Sequence, residues 1–393
     1  MARVPMSIQD RYSYLRRMHE RYLSAKRRER SGLLDEIVAH TGLNRKYACH
    51  LMNKAVGPIR KKRKRQRGRK YSHKVDDAIR VIGETLDWVC AERMTPVLLE
   101  TAKLLAAHGE LQLDDALGDE LRRISISTVA RIVARVRQDE YRLPRRRGRR
   151  KSSNSLLASI PSGKIAWDEP EPGHFEVDTV LHCGGDGRGD VVCSIQMIDV
   201  KTGWSERRAI VGRGQERTRK AFSYLLDRCP IPVREIHPDN GPEFMNYHLL
   251  RFFGQKVKGV KLSRSRPYQK NDNRFVEQKN YTLIRAYLGH MRLDTHQQCQ
   301  VLNELYDQMW LYYNFFQPVL RQVDKKVTYD DHHVPHLHRR HDRARTPLAR
   351  LLESQVLDES QRQQLLQARR SVNPRALHRG IMSKLDKLWR TAG

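Results

Sequence analysis

The chain has 393 residues, and 75 Lys and Arg face 45 Asp and Glu, for a formal net charge of +30 and a pI near 10.2. That excess calls for a polyanionic partner, with nucleic acid as the default; no apolar run spans a bilayer and no signal-peptide pattern opens the chain, which argues against a membrane. Six scattered cysteines without a C-x-x-C pair point away from disulfides and a cysteine–zinc site, and towards a reduced, cytoplasmic, nucleoid-associated protein.

Residues 1–58 read as a first domain. Tyr12, Leu15, Met18 and Tyr22 recur at helical spacing between Ser7 and about Ala25. The run SGLLDEIVAHTGLNRKYACHLMNK then reads as a helix-turn-helix. Ser31 caps its first helix, Gly42 makes the turn, Asn44 caps the second, and Ile37, Leu43, Ala48 and Leu51 pack the two together. Arg45, Lys46, Tyr47 and His50 project from a helix able to enter a major groove, although the same pattern also describes a plain helical hairpin.

A basic linker, 59–73, comes next, and RKKRKRQRGRK within it holds nine basic residues in eleven. Such runs do not pack; they stay extended and find phosphates. Residues 74–140 read as wholly helical, with TPVLLETAKLLAAHG as one helix and ISISTVARIVARVRQ as another. Ser127 or Thr128 caps the latter, Val129, Ile132, Val133 and Val136 form its apolar stripe, and Arg131 and Arg135 lie opposite. This is a second helix-turn-helix-like domain or a small structural bundle. Residues 141–172 form a basic, Ser- and Pro-containing linker, with Trp167 placed to dock on the next domain. Its PRRRGRRK run repeats the Arg-Gly-Arg of the first linker, and Arg67, Arg69, Arg147 and Arg149 suit a minor groove.

From 173 to 293 the pattern changes. HFEVDTVLHC, VVCSIQMIDVKTG and WSERRAIVG read as three successive strands, and ERTRKAFSYLLDRC as a helix. A short strand VREIHPDNG, a helix PEFMNYHLLRFFGQ, a strand VKGVKLSRS and a long helix around Glu277 complete a mixed sheet with helices on both faces. Asp178 falls on the first strand, Asp239 just past a strand's C-terminal end, and Glu277 on the helix. Carboxylates gathered without His or Cys suit a hard, oxygen-seeking ion such as Mg²⁺ or Mn²⁺. Two ions would relieve their mutual repulsion and clamp a phosphodiester.

These motifs, FEVDTV, HPDNGPEF and RPYQKNDNRFVEQKN, with YYNFFQP downstream, resemble the catalytic core of the D,D,E transposases and retroviral-type integrases, and more narrowly bacterial insertion-sequence transposases. The resemblance covers about residues 170 to 320. It implies an α/β RNase H-like catalytic domain, a mixed five-stranded sheet flanked by helices, preceded by all-α helix-turn-helix segments and followed by a helical C-terminal region. It further implies Asp178 bridging two Mg²⁺ or Mn²⁺ ions, with Asp239 and Glu277 each holding one. Tyr268, Lys270, Asn273 and Arg274 would meet double-stranded DNA, and the joining of two ends implies a homodimer or higher oligomer. The activity implied is cleavage at element ends and joining of the 3′-OH to target DNA. An RNase H-like nuclease or resolvase, or a DNA-binding regulator with an inactive catalytic domain, are the alternatives.

Three other acids compete on paper. Glu176 shares the strand face of Asp178, Asp199 reads as a turn former, and Asp272 as a cap or a solvated side chain. In the C-terminal region, 294–393, HQQCQVLNELYDQMWLYYNFFQP is a long helix with Leu302, Leu305, Met309 and Tyr312 in the core. DDHHVPHLHRRH holds five histidines without a zinc-site spacing and reads as a solvated basic loop. The tail from Thr346 is helical, with its docking face open between core, DNA and a second protomer.

Overall fold

The computed structural model describes residues 8–54, 70–137, 162–163, 169–185, 188–238, 252–253, 259–265, 273–329 and 335–391. The chain divides into two compact units, Met1–Lys70 and Tyr71–Gly393.

The described residues of the first unit form three helices, Ile8–Ser24, Glu29–Thr41 and Arg45–Asn53, around Leu15, Met18, Ile37, Ala48 and Met52. Gly42 takes the left-handed conformation, φ 68°, that ends the second helix, and the Asn44 side chain accepts the Lys46 N–H at 2.9 Å to start the third. The anticipated Ser31 cap is not used. The helix already begins at Glu29, whose carboxylate accepts the Lys26 N–H at 2.9 Å.

In the second unit the sequence divisions at 74–140, 173–293 and 294–393 do not separate compact bodies. Helices His73–Thr85, Ala91–Met94, Leu98–Ala107, Asp115–Arg123 and Ile126–Val136 do share a core of their own. Yet Tyr312 Oη donates to the Thr85 carbonyl at 2.8 Å, Arg93 Nε to that of Pro318 at 2.6 Å, and Arg375 bridges Glu84 and Glu110. These ties join residues more than two hundred positions apart, which local composition does not reveal. The Ile126–Val136 helix is capped by Ser125, not by Ser127 or Thr128, because it starts two or three residues earlier than those caps imply.

The strands are β1 (Ser162–Gly163), β2 (His174–Leu181), β3 (Val192–Asp199), β4 (Ser205–Val211), β5 (Glu235–Pro238), β6 (Lys261–Leu262), β7 (Arg264–Ser265), β8 (Gln322–Tyr329) and β9 (Pro335–His341). Five of them form a mixed sheet in the order β4-β3-β2-β5-β6, antiparallel through β2 and parallel beyond it. β1 and β7 make a short parallel pair, so the linker contributes structure at Ser162 and Gly163. Alternation along β2 sorts the two faces. Phe175 and Val177 face the Gln215–Arg228 helix, with Phe222 and Leu225. Val180 lies with Ile284, Leu288, Leu302 and Tyr306 on the other.

β4 is an edge strand, and edges expose unpaired backbone groups. Two asparagines close it. Asn314 accepts the Ser205 N–H and donates to the Ser205 carbonyl, both at 2.9 Å, and Asn303 does the same at Ala209, at 2.8 and 3.0 Å. Each side-chain amide stands where a sixth strand would put a peptide. Asn314 is the Asn of YYNFFQP, which the structure explains as an edge clamp.

The C-terminal region is not all helix. β8 and β9 form a hairpin where a solvated loop was expected, and its backbone register sets Lys325 opposite Arg339. Residues 330–334, between the two strands, lie outside the described residues. Beyond it come the helices Pro347–Glu353, Glu359–Ser371 and Pro374–Thr391. Ile381, Leu385 and Leu388 of the last pack on the core. Among the described residues no helix is long and apolar enough to cross a membrane. Asn314→Ala would strip both partners from buried Ser205 groups, so thermal unfolding should show a loss of about 3 kcal/mol; a loss below about 0.5 kcal/mol would remove the clamp.

Candidate functional site

Glu176, Asp178 and Val180 alternate onto one face of β2, the face covered by the helical segment that carries Glu277. That segment runs as helix Arg274–Lys279, a π-helical stretch Asn280–Arg285 and a last turn Ala286–Leu288. Among the described residues three hydrogen-bonded ties join it to β2: Arg285 Nη2 donates to the Leu181 carbonyl at 2.8 Å, and two others flank Glu277. Glu176 Oε2 accepts the Phe275 N–H at 2.7 Å and the Val276 N–H at 2.9 Å. Asn280 Nδ2 donates to Asp178 Oδ2 at 2.5 Å, while the Thr179 N–H reaches Oδ1 at 2.8 Å. Glu277 stands between the Glu176 and Asn280 ties. The strand of the first predicted acid and the helix of the third are therefore brought together; Asp239 lies outside the described residues.

The environments of the acids differ. Glu176 is 1% exposed, and burial pushes its carboxyl up to about 8 against the pull of the Val276 and Phe275 amides and Arg274. Glu277 is exposed and makes no ion pair among the described residues. Partial desolvation alone raises its carboxyl above the ordinary value. Asn280 is buried, and its Oδ1, beside the bond to Asp178, has no partner among the described residues. Two hard carboxylates and that amide oxygen at one junction fit a divalent cation in donor type. Among the described residues no three His, Cys, Asp or Glu side chains gather at one point. Asp199 is a turn former, accepting the Gly173 N–H at 2.8 Å and the Thr202 N–H and hydroxyl at 2.7 and 2.6 Å.

A second polar group stands where β5 leads to Asp239. His237 Nδ1 lies 2.6 Å from Ser263 Oγ, which donates to Glu235 Oε1 at 2.5 Å; Glu235 Oε2 meets His174 Nδ1 at 2.8 Å, and Lys261 Nζ lies 3.1 Å from Oε1. The sequence reading missed this chain of bonds, although Glu235 and His237, two apart on one strand, share a face.

No protein-family model matches the chain. It is 32% identical over 312 residues to the uncharacterized protein y4rM of Sinorhizobium fredii (strain NBRC 101917 / NGR234), covering 78% of this chain and 86% of that protein. The chain belongs to the y4rM family. Among solved structures, the catalytic core domain of BIV integrase matches with a TM-score of 0.28 and 15% identity, over 37% of this chain and 86% of that one.

The remaining predicted residues of this y4rM-family chain fall into three groups. Arg67, Arg69, Arg147, Arg149, Tyr268 and Lys270, and Asp272 with them, lie outside the described residues. Lys46 and Tyr47 are exposed on the third helix, and Arg274 stacks its guanidinium on the Phe275 ring at 4.8 Å. Arg45, Arg131 and Arg135 have structural engagements, and Asn273 is buried. Arg45 pairs with Asp35 and donates to Ser31; Arg135 Nη2 donates to both oxygens of Asp76, at 2.5 and 2.6 Å. Arg131 donates to its own helix, at the Ser127 carbonyl, and Asn273 is 6% exposed.

Burial pushes the Glu235 carboxyl up, but hydrogen bonds from His174, Ser263 and Lys261 outweigh it and hold it down at about 2. A depressed carboxyl stabilises above its unfolded value and loses that contribution as pH falls towards its folded one. Urea unfolding of wild type against Glu235→Gln should thus differ most above pH 5, the gap narrowing by roughly 2 kcal/mol as pH falls to about 2.5. A gap constant with pH would contradict this assignment.

Proposed function

We propose that this protein is a divalent-metal-dependent DNA transposase or integrase, with an RNase H-like core that cuts element ends and joins them to target DNA. The observation that carries the reading is the double tie between β2 and the Glu277 helix, which holds the strand of Asp178 against the segment bearing Glu277. The order of FEVDTV, HPDNGPEF and the Glu277 motif supports it, as does a net charge of +30.

Asp178, Asp239 and Glu277 would hold the ions, Mg²⁺ or Mn²⁺, two per site. Bound there, the ions would offset phosphodiester charge and lower the barrier to attack at phosphorus. Asn280 fixes the rotamer of Asp178 so that the carboxylate is held before DNA arrives. In the first step water attacks phosphorus and the bond to the 3′ oxygen breaks, leaving a 3′-OH and a 5′-phosphate. In the second that hydroxyl attacks a target phosphodiester, whose own 3′ oxygen departs and takes up the proton. Number and type of bonds are conserved in the joining step, so no ATP site is needed.

Double-stranded DNA is then the partner, as element end and as target. Lys46, Tyr47 and His50 are the side chains of the first unit offered to an end sequence, and the two basic runs supply phosphate contacts. Two ends handled together require a homodimer or higher oligomer.

Purified protein with its flanking DNA and Mg²⁺ should release a free 3′-OH at each element end and transfer that end into plasmid. Asp178→Asn, Asp239→Asn and Glu277→Gln should each lower cutting by at least about a hundredfold while leaving DNA binding in place. Ca²⁺ should permit binding and suppress cutting. Undiminished cutting by Asp239→Asn would overturn the reading, and cutting without joining would leave a nuclease.

A further inference from the structure

Phe275 and Val276 carry the second and third backbone N–H groups of the Glu277 helix, which have no carbonyl partner inside it. A helix ordinarily meets this need locally, through an Asn, Asp, Ser or Thr at the position just before it. Asn273 occupies that position and is of the right type, yet its side chain makes no capping bond and is buried without a partner among the described residues. The cap comes instead from Glu176, 99 and 100 residues away, through one carboxylate oxygen at 2.7 and 2.9 Å.

A local cap would fix only the helix start. A cap supplied by the neighbouring strand also fixes where the helix lies on that strand. The second tie, Asn280 to Asp178, falls four residues beyond Val276, about one turn on. Two ties a turn apart determine both the slide of the helix along β2 and its rotation, and Glu277 lies between them. At 1% exposure Glu176 is also closed to a hydrated ion or a phosphate, although it shares the face of Asp178. A buried carboxylate is costly unless hydrogen-bonded, and these two amides supply the bonds.

We infer that Glu176 is a positioning residue that caps the Glu277 helix from β2 and sets Glu277 against Asp178 before any metal binds. This rests on the transposase reading for its purpose but not for its test. The geometry requires the two amides to be protected in metal-free protein, because the acceptor belongs to the chain itself.

Residue-resolved amide hydrogen exchange on full-length, metal-free protein decides it, with Glu176→Gln and Glu176→Ala compared. Glutamine keeps an oxygen acceptor, so exchange at Phe275 and Val276 should stay within about threefold of wild type. Alanine removes it, and exchange there should rise about tenfold or more, with the rest of the second unit unchanged. In the cutting assay alanine should lower kcat by about thirtyfold with KM for end DNA within about twofold, and glutamine should restore most of the loss. Three results would overturn the inference: unchanged protection in the alanine variant, equal loss of kcat in both variants, or wild-type protection that develops only on addition of Mn²⁺. If alanine unfolds the protein, the glutamine variant and the Mn²⁺ comparison still decide. Wild-type protein that cuts no DNA would sink the transposase reading alone, since the exchange measurements stand without it.

Discussion

An acid on a strand and another on a helix make a site only if something stops the helix from sliding. Here that constraint is a set of hydrogen-bonded ties between groups about a hundred residues apart: Glu176 to the Phe275 and Val276 amides and Asn280 to Asp178 on either side of Glu277, with Arg285 to the Leu181 carbonyl further along. Everything around them keeps that junction rigid. β2 is the middle strand of five, so its position is fixed from both sides. The Glu277 segment is backed by Ile284 and Leu288, which pack with Val180 of β2 and Leu302 and Tyr306 of the next long helix.

The same logic of long-range polar ties recurs across the second unit. Asn303 and Asn314 close the β4 edge, and Glu206, fully buried on that strand, accepts the indole N–H of both Trp204 and Trp310 while pairing with Arg228. A buried charge of this kind is tolerated because its partners are all present. The helices at 73–136 and the C-terminal helices are likewise held by Arg375, Arg93 and Tyr312 rather than by apolar packing alone. Long-range polar ties therefore merge stretches that composition divides into a single compact unit.

What the sequence made legible is what depends on neighbours in the chain. The β2–β6 strands followed from apolar runs split by turn residues, and the Asn44 cap and Gly42 turn from local chemistry. The side of β2 on which Asp178 faces the Glu277 helix was readable from alternation. What remained hidden is non-local. Nothing near Glu176 says that it caps a helix a hundred residues on, and nothing near Arg45 or Arg135 says that Asp35 and Asp76 engage them. The β8–β9 hairpin was hidden for another reason: its histidines and opposed basic positions are poor strand signals, and the pairing is visible only in the backbone.

The proposed function requires Asp178 and Glu277 to be two sides of one cation site. Anomalous diffraction from crystals soaked in Mn²⁺ measures this without DNA or turnover. Manganese peaks lying between the Asp178 and Glu277 carboxylates, and lost in the Asp178→Asn protein, are the predicted result. Peaks elsewhere, or none at a Mn²⁺ concentration that saturates other two-metal sites, would contradict the account.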